Sequence, residues 1–384
     1  MQKNSKKIAL FTCHRDPNYG SMLQAYALVE AIRKLGRDSE YIDYYTSCEP
    51  PKGIKGLVLK LKKSIASFLK IHTVKIYKNE IKSEFYFFKE AWFASTIKSY
   101  ELFHQQYIPC SAKKFFFDTI RQTFNVSEYD NYIVGSDQLW SPNLYTPQKP
   151  YFLDFADLPR KNSYATSLGT TVLTLDYLHL LQEKLSSFEH LSCREATNCN
   201  SLTKALGREV QHVLDPTLLL DSTEWDKIVV DPLIKGKYVL AYILGEKEGV
   251  IDFANKLGAN ENLPVYYIVT RPRYRNMEHS ILGIGPDAFV GLIKHASYVV
   301  TDSFHGSLFS IIYGISFYSF SKRDGDLNNV DNIRIIEFLT MLNLQNRFQH
   351  DSDARFLDDI NYEDVKHKLS LYKENSYCYL KSCL

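Results

Sequence analysis

One strand end in this sequence carries side chains suited to acid–base chemistry and anion binding. Residues Tyr298–Gly306 form a β-branched strand that ends in Asp302, Ser303 and His305. The next run, Ser307–Tyr313, is mostly apolar, so we expect a helix whose N-terminus lies at His305, where unpaired backbone N–H groups attract anions. An imidazole there is placed to contact a phosphate or a carboxylate. The alternative is that Ser303 only caps the helix and His305 packs inside.

Two earlier strand ends have a similar composition. In the first, an apolar run reaches Gly135, which permits close backbone approach, and continues into Ser136, Asp137 and Gln138. In the second, Arg194 follows a short strand, and its guanidinium suits bidentate pairing with a phosphate or a carboxylate. A surface ion pair between this arginine and the glutamate after it is the alternative.

A polar loop near the start of the chain adds amide and aromatic groups. Residues 7–13 predict a buried strand, and residues 21–35 predict a helix with one apolar face. Asn and Gln amides pair with vicinal hydroxyls, and a Tyr ring can stack on a sugar face, so we interpret the loop as a saccharide contact. The residues concerned are Asn18, Tyr19, Gly20 and Gln24.

Strand-like and helix-like stretches alternate along the chain, which indicates parallel sheets covered by helices. Further strands are predicted at 40–45, 132–135, 162–167, 191–194, 211–214, 237–244, 265–270, 298–302 and 317–320, and helices at 250–257, 286–295 and 307–313. A polar, Pro-containing stretch at 215–236 separates two such alternations. We therefore predict an α/β fold with two Rossmann-like domains facing across a cleft, and ligands at the carboxyl ends of the strands.

The length of 384 residues also favours two domains. We predict an N-terminal domain at 1–220 with a lysine-rich helical insert at about 52–125, and a C-terminal domain at 221–345. Residues 346–384 are predicted to form a helical tail that packs back on the N-terminal domain.

Composition and charge exclude several classes of protein. A net charge of +2 is too small for a general nucleic-acid binder. The seven cysteines include neither a Cys-x-x-Cys pair nor a Cys/His cluster at zinc spacing, so we predict a reducing compartment and no metal site. Since no apolar run suits a signal peptide or reaches the roughly 18 residues of a membrane span, we expect a cytoplasmic protein.

The segment 52–78 contains eight Lys and no Asp or Glu, and its apolar residues recur at helical spacing. This pattern predicts a basic amphipathic helix. One interpretation is peripheral attachment at the inner face of the cytoplasmic membrane, where each Lys contributes about 1 kcal/mol near anionic lipid. The other is an insertion that packs its apolar stripe on the domain and leaves its lysines in water.

Several segments together resemble the polysaccharide pyruvyl transferase family and occur in the family's order across residues 8–347. The matching segments are Asn18–Leu28, Gly135–Trp140, Tyr164–Gly169, Ser192–Glu195, Asp215–Leu219 and Thr301–Gly306. The lysine-rich segment and the C-terminal tail fall outside the resemblance.

The resemblance implies a fold similar to GT-B glycosyltransferases and a cofactor-independent, metal-independent reaction. In this reaction the carboxyethylidene group of phosphoenolpyruvate is transferred onto two hydroxyls of a sugar as a cyclic ketal. The C-terminal domain would bind the donor and the N-terminal domain the acceptor. A lipid-linked oligosaccharide is the expected acceptor because of the lysine-rich helix.

The residues can be assigned to these steps. His305 is the first catalytic candidate, because His titrates nearest neutrality, and Asp302 or Asp137 could protonate carbon or orient a hydroxyl. The predicted phosphoenolpyruvate contacts are Arg194, Ser303, His305, Gly306, Ser307 and Lys322. The predicted acceptor contacts are Asn18, Tyr19, Gly20, Gln24, Ser136, Asp137 and Gln138.

One position departs from the family pattern, since some members have Arg where this chain has Ser303. The missing charge could be supplied from the segments that follow two C-terminal strands. The candidates are Lys322, Arg323, Arg271, Arg273 and Arg275.

Two other functions remain open. One is a nucleotide-sugar-dependent glycosyltransferase of GT-B type that uses Asp324 and Asp326 as a metal-binding pair, although a simple turn is the favoured explanation of the short polar tripeptide Asp324-Gly325-Asp326. The other is a non-catalytic saccharide-binding relative.

Overall fold

The computed structural model of the chain describes residues 6–48, 80–143, 146, 149–232, 234–245, 248–270, 272–322, 330–350 and 354–384. At residues 80–93, 272, 273, 330 and 331 it describes the backbone alone. The predicted lysine-rich helix at 52–78 lies outside these ranges, and so do Arg271, Arg323, Asp324 and Asp326.

The N-terminal sheet contains eight parallel strands among the described residues. They are β1 (Lys7–Phe11), β2 (Ser39–Tyr45), β3 (Cys110–Phe116), β4 (Tyr129–Asp137), β5 (Lys161–Thr166), β6 (Phe188–His190), β7 (Ser192–Cys193) and β8 (Gln211–His212). Their order is β3-β2-β1-β4-β5-β7-β8, and β6 also pairs with β5. The connecting helices are α1 (Tyr19–Lys34), α2 (Glu80–Tyr107), α3 (Ile120–Thr123), α4 (Leu175–Leu185) and α5 (Ala196–Leu206).

The second sheet has six parallel strands within the described ranges. They are β9 (Val239–Tyr242), β10 (Val265–Ile268), β11 (Ser280–Ile281), β12 (Tyr298–Thr301), β13 (Ser316–Phe320) and β14 (Phe348–Gln349), in the order β11-β10-β9-β12-β13-β14. The remaining helices are α6 (Ser222–Trp225), α7 (Glu248–Glu261), α8 (Pro286–Lys294), α9 (Phe304–Tyr313), α10 (Val330–Met341) and α11 (Tyr362–Ser382). In both sheets the strand order reverses after the first strand, as in Rossmann folds, so the prediction of two Rossmann-like domains is confirmed.

Local sequence signals fix where the helices near the strand ends begin and stop. Asn18 and Ser303 cap α1 and α9, and each accepts a hydrogen bond from a backbone amide three residues later. Gly314 ends α9 with a φ of 70°, in the left-handed region that glycine enters without steric cost. Pro286 occupies the start of α8, where its missing N–H is not needed.

One hydrophobic core runs continuously between the two sheets. It includes the buried faces of α1, α8 and α9, and Trp225 of α6 packs edge-on against Phe309 at 4.8 Å. Two smaller cores cover the outer faces of the N-terminal and C-terminal sheets. Because apolar side chains join the two domains directly, the site at their junction rests on a packed support.

The chain returns to the N-terminal domain after completing the C-terminal sheet. In α11, Tyr379 donates to the carbonyl of Ser163 at 2.8 Å, and the hydroxyl of Ser376 accepts from the Leu214 amide at 2.9 Å. The Asn131 side chain donates to the carbonyl of Cys383. The C-terminal sheet is therefore flanked in sequence by two pieces of the N-terminal domain.

Two details differ from the sequence expectation. Residues 110–116, inside the predicted helical insert, form β3 at the outer edge of the N-terminal sheet. The C-terminal sheet continues past 345, because β14 at 348–349 pairs with β13. Within the described ranges, every helix is too short or too polar to cross a membrane.

Candidate active site

Polar residues at the strand ends of the N-terminal sheet form a buried ionic network with a histidine of the C-terminal domain. Asp137 ends β4, Arg194 follows β7, and Asp215 follows β8, while His305 lies in the first turn of α9 in the other domain. Parallel α/β sheets place their ligands at these carboxyl ends. The structure thus brings together Asp137, Arg194 and His305, which the sequence predicted from three separate motifs.

Arg194 is the centre of this network, and its side chain is 1% exposed. It donates to Asp215 at 2.9 Å through Nη1, to Asp137 at 3.4 Å through Nη2, and to Glu195 at 3.2 Å through Nε. Burial acts to lower the Arg194 pKa, but the three carboxylates raise it above its ordinary value. Its charge is offset inside the protein, so in this structure Arg194 orients the carboxylates around it.

Asp215 joins Arg194 to His305. Its Oδ1 accepts hydrogen bonds from the amide and the hydroxyl of Thr217, at 3.0 and 2.7 Å. Its Oδ2 lies 3.6 Å from His305 Nε2, slightly beyond direct hydrogen-bond length. Burial acts to raise the Asp215 pKa, but His305, Arg194 and Thr217 hold it below its ordinary range. Asp215 is therefore an anion beside the imidazole, as are the carboxylates that orient catalytic histidines.

His305 contacts the N-terminal domain because position 20 has no side chain. A Cβ on Gly20 would lie 2.0 Å from His305 Nδ1 and 2.4 Å from Cε1. The His305 side chain is 12% exposed, and its Nε2 is buried without a hydrogen-bond partner among the described residues. Gly20, predicted as an acceptor contact, provides the surface on which the imidazole rests.

Asp137 is fixed by several donors and has a strained backbone. Its φ of 92° lies in the region that favours glycine. Its Oδ2 accepts from the Ser21 hydroxyl at 2.8 Å and from the Gln24 amide at 3.0 Å. Burial acts to raise the Asp137 pKa, but Arg194 and Ser21 bring it below its ordinary value. Strain that surrounding bonds hold in place is typical of functional sites.

Three predicted acceptor contacts are buried within the protein. Tyr19 is 8% exposed and stacks on Phe289 of α8, with ring centroids 4.5 Å apart. Gln24 is 1% exposed and bonds inside the ionic network. The Ser136 hydroxyl is buried and donates to the carbonyl of Ala165 at 2.9 Å. These side chains hold the site and the domain junction together.

Asp302 lies at the end of β12, where it bonds to the backbone that follows β9. Its two carboxylate oxygens accept from the amides of Leu244 and Gly245, at 2.7 and 2.6 Å. Burial raises the Asp302 pKa, and the backbone hydrogen bonds and Lys322 offset this only in part. The structure therefore places Asp302 and Lys322 together, in the C-terminal domain.

The predicted phosphoenolpyruvate contacts at the start of α9 make hydrogen bonds or close contacts within the C-terminal domain. The Ser303 hydroxyl accepts from the Gly306 amide at 3.3 Å. A Cβ on Gly306 would lie 2.6 Å from the Thr301 hydroxyl oxygen, so this glycine lets the helix start pack on β12. The Ser307 hydroxyl contacts that of Ser319 at 2.5 Å. Ser303 does cap the helix, which was the alternative interpretation of this residue.

A cavity of about 590 Å³ opens at the ends of β1, β2 and β4. Asp137 forms part of its wall, together with the predicted acceptor contacts Asn18 and Gln138. Charged and aromatic side chains complete the lining, among them Arg15, Asp16, Lys149, Tyr44, Tyr45 and Tyr151. Its volume is within the range of small-molecule sites, and polar groups beside aromatic faces suit a sugar.

Asp215 and the cavity tyrosines Tyr44, Tyr45 and Tyr151 were not predicted from the sequence as site residues. Asp215 had a usable signal, because Asp-Pro-Thr follows a predicted strand just as the other polar tips do. Tyr44 and Tyr45 lie at the end of β2, where alternation indicates a strand but not which side chains face a cavity.

Known structures with a similar arrangement include sugar-processing enzymes. The UDP-GlcNAc 2-epimerase of Methanocaldococcus jannaschii is 11% identical, with 95% of this chain and 91% of that chain covered and a TM-score of 0.47. The glycosyltransferase SnogD of Streptomyces nogalater is 11% identical, with 99% and 100% covered and a TM-score of 0.45. The Escherichia coli heptosyltransferase WaaC is 11% identical, with 95% and 99% covered and a TM-score of 0.41.

The two parallel sheets and the polar residues at their strand ends define a two-domain α/β protein of Rossmann type. The sequence profile of the polysaccharide pyruvyl transferase family matches residues 18–322, which is most of the chain. The protein therefore belongs to the polysaccharide pyruvyl transferase family. A comparison with curated proteins finds no match to this sequence.

Proposed function

We propose that this protein transfers the carboxyethylidene group of phosphoenolpyruvate onto two hydroxyls of a sugar in a cell-surface polysaccharide precursor. Family membership supports a transferase with a saccharide acceptor. The observation that carries the proposal is the Asp215–His305 pair at the domain junction, linked through Arg194 and Asp137 to the 590 Å³ cavity.

The reaction needs one proton delivered to carbon and two removed from hydroxyls. A proton adds to the methylene carbon of phosphoenolpyruvate, which makes C2 electrophilic, and the first sugar hydroxyl bonds to C2 and loses its proton. The bond between C2 and the phosphate oxygen breaks, and phosphate leaves. The second hydroxyl then bonds to C2, closes the ketal ring and loses its proton. A positioned acid or base contributes about 10² to 10⁴ in rate to such steps.

His305 is the group that we assign to hydroxyl deprotonation. The Asp215 carboxylate, 3.6 Å from Nε2, is placed to orient the ring and to stabilise the imidazolium that forms. Because the ring rests on Gly20 of the other domain, we propose that substrates enter as the two domains separate, a common form of closure around ligands.

The two candidate carboxyls differ in the form that they favour. Burial raises the Asp302 pKa above its ordinary value although both oxygens accept hydrogen bonds from backbone amides, so of the two carboxyls Asp302 takes up a proton more readily. Burial acts to raise the Asp137 pKa, but Arg194 and other neighbours lower it below its ordinary value. This favours the carboxylate anion, which can orient an acceptor hydroxyl. We therefore assign the carbon acid to Asp302, with Lys322 beside it to bind the donor phosphate.

The acceptor is assigned to the N-terminal cavity. Asn18 and Gln138 supply amides, and Tyr45 and Tyr151 supply aromatic faces. The lipid-linked nature of the acceptor and the contact with the membrane rest on the lysine-rich segment 52–78, outside the described residues. Vesicle co-sedimentation with and without that segment tests the membrane contact, and a comparison of lipid-linked with free oligosaccharides tests the acceptor.

The donor can be tested directly on the full chain. We expect phosphoenolpyruvate to raise the melting temperature, because a ligand at about 100 times its Kd stabilises a protein by about 2.7 kcal/mol. UDP-N-acetylglucosamine serves as the comparison ligand. With phosphoenolpyruvate and a library of lipid-linked and free oligosaccharides, mass spectrometry should show a product heavier by pyruvate less one water.

Two results would overturn the proposal. A melting-temperature rise with the nucleotide sugar and none with phosphoenolpyruvate would favour the glycosyltransferase alternative. Saccharide binding without any mass gain in the presence of phosphoenolpyruvate would favour the non-catalytic relative.

A further inference from the structure

Two histidines and a cysteine that are far apart in sequence meet at one edge of the N-terminal domain. His14 lies in the loop after β1, His104 in the last turn of α2, and Cys110 at the start of β3. One nitrogen of each imidazole and the thiol sulfur all lie within 4.8 Å of one another. The sequence shows no Cys/His cluster at zinc spacing, because three separate elements contribute these residues.

The distances within this cluster approach those of a tetrahedral metal site. His14 Nδ1 lies 2.8 Å from His104 Nε2, and Cys110 Sγ lies 3.6 Å from His104 Nε2 and 3.8 Å from His14 Nδ1. With Zn–N bonds of about 2.0–2.1 Å and a Zn–S bond of about 2.3 Å, tetrahedral angles require about 3.3 Å between nitrogens and about 3.5 Å between nitrogen and sulfur. Separation of the rings by about 0.5 Å would complete the geometry.

The surroundings orient the donors as metal sites do. His14 is 3% exposed, and its ring stacks on Tyr41 with the centroids 5.0 Å apart, which fixes the plane of the ring. Burial lowers the His14 pKa to about 3 and the His104 pKa to about 4, so both rings are neutral and have lone pairs.

The Cys110 thiol has a less favourable charge state. Burial raises the Cys110 pKa to about 12; Arg15 acts to lower this pKa, and Asp43 and Glu40 act to raise it. A zinc ligand must be a thiolate, so metal binding at this site would release the Cys110 proton.

We propose that His14, His104 and Cys110 bind one Zn²⁺ ion, with water as the fourth ligand. Two imidazoles and a thiolate form a donor set that zinc accepts, and three protein ligands leave one position open. His14 also lines the 590 Å³ cavity, so the ion would tie the loop at one side of that cavity to α2 and β3. The site lies apart from the proposed reaction steps and stands whether or not phosphoenolpyruvate is the donor.

The test uses the full chain, stripped with a chelator and then dialysed against Zn²⁺. We expect about one Zn²⁺ per chain by elemental analysis, and a higher melting temperature than for the stripped protein. His104→Ala and Cys110→Ser should each weaken zinc binding at least about tenfold, as loss of a ligand does. Cys199→Ser is the matched control, because Cys199 is a buried cysteine of the same domain and should leave zinc binding unchanged.

A direct imidazole–imidazole hydrogen bond also explains the 2.8 Å contact, so the wild-type protein needs a second readout. Co²⁺ bound by the three residues should give a thiolate-to-cobalt charge-transfer band that Zn²⁺ abolishes, and this readout does not depend on any variant folding. Absence of that band, or zinc binding equal in wild type, His104→Ala and Cys110→Ser, would overturn the proposal.

Discussion

Arg194 has an environment that its position in the sequence did not indicate. A strand-end arginine predicts an anion-binding group, yet its guanidinium is surrounded by Asp137, Glu195 and Asp215. Removal of one partner from a buried ion pair leaves uncompensated charge, which costs more than the pair itself contributes. We therefore expect this residue to affect stability as well as turnover.

The first prediction concerns Arg194→Ala. This variant should lose about 3–5 kcal/mol in the free energy of unfolding at pH 7, because buried carboxylates remain unpaired. The measurement is urea denaturation, with Arg160→Ala as control, since the Arg160 side chain is 40% exposed and only loosely paired. Equal losses in both variants would contradict the network described for Arg194.

The pH dependence of the same variant gives a second readout. Asp137 and Asp215 have lowered pKa values in the folded protein, so they stabilise it above their unfolded pKa of about 4 and lose that effect as the pH falls through the folded values. Without Arg194 this lowering shrinks. The stability gap between Arg194→Ala and wild type should therefore narrow on acidification.

The second prediction tests His305 and its contact with Gly20. His305→Ala should lower ketal formation at least about 100-fold, or about 2.7 kcal/mol of transition-state stabilisation. The protein should remain folded, because Arg194 and Thr217 still bond to Asp215. Gly20→Ala should lower turnover through displacement of the ring. His295→Ala is the control, because His295 is an exposed histidine of the same domain.

A double-mutant cycle separates this mechanism from a general disturbance. If Gly20→Ala acts through His305, it should have little further effect in a His305→Ala background. If the losses of turnover in the two single variants add fully in the double variant, the methyl group of Gly20→Ala does not act through His305.

At the level of elements, α1 does more than position its loop. Tyr19 in its first turn stacks on Phe289 of α8 and on Tyr100 of α2, and it donates to the carbonyl of Ile284 at 3.3 Å. The sequence predicted Tyr19 as a sugar contact, because a Tyr ring can stack on a sugar face. Two of its partners, Phe289 and Ile284, lie more than 200 residues away, and local patterns contain no information about them.

The third prediction distinguishes these roles for Tyr19. Tyr19→Ala should cost about 3–5 kcal/mol in stability, as large aromatic truncations in a core do. Tyr19→Phe keeps the stacking and should cost only about 0.5–1.5 kcal/mol, the contribution of one hydrogen bond. The acceptor KM should be unchanged in Tyr19→Phe, and a large rise in that KM would restore the sugar-contact interpretation.

Regular elements were predictable where periodicity was strong. The predicted strands at 40–45 and 317–320 and the helix at 286–295 agree with the observed elements within about two residues. The edge strand β3 was missed because Lys113 and Lys114 interrupt its apolar alternation. Two-residue strands such as β11 and β14 are too short for any periodic signal.

At the scale of the whole molecule, the sequence indicated two domains and the polar tips of their strands. It did not indicate which tips would meet, because contacts such as His305 with Asp215 and His14 with His104 depend on how distant elements pack. The same limit explains why a cluster of potential metal ligands was not visible in the spacing of the cysteines.

The fourth prediction concerns α11, the last helix of the chain, which packs on the N-terminal sheet. Deletion of residues 362–384 removes the buried side chains of Tyr379 and Leu380 and the partners of Asn131 and Leu214. We expect a lower soluble yield and faster limited proteolysis, with the first cuts in the N-terminal domain. Tyr379→Phe is the mild control, and unchanged protection after the deletion would contradict this role of α11.

The return of α11 has a consequence for how the protein is made. A nascent chain emerging from the ribosome can assemble the N-terminal sheet early, but it then exposes the apolar surface that Leu380 will later cover. That surface stays exposed until the second domain and α11 have been synthesised. Translation speed and chaperone supply during this interval should therefore govern how much active protein a cell recovers.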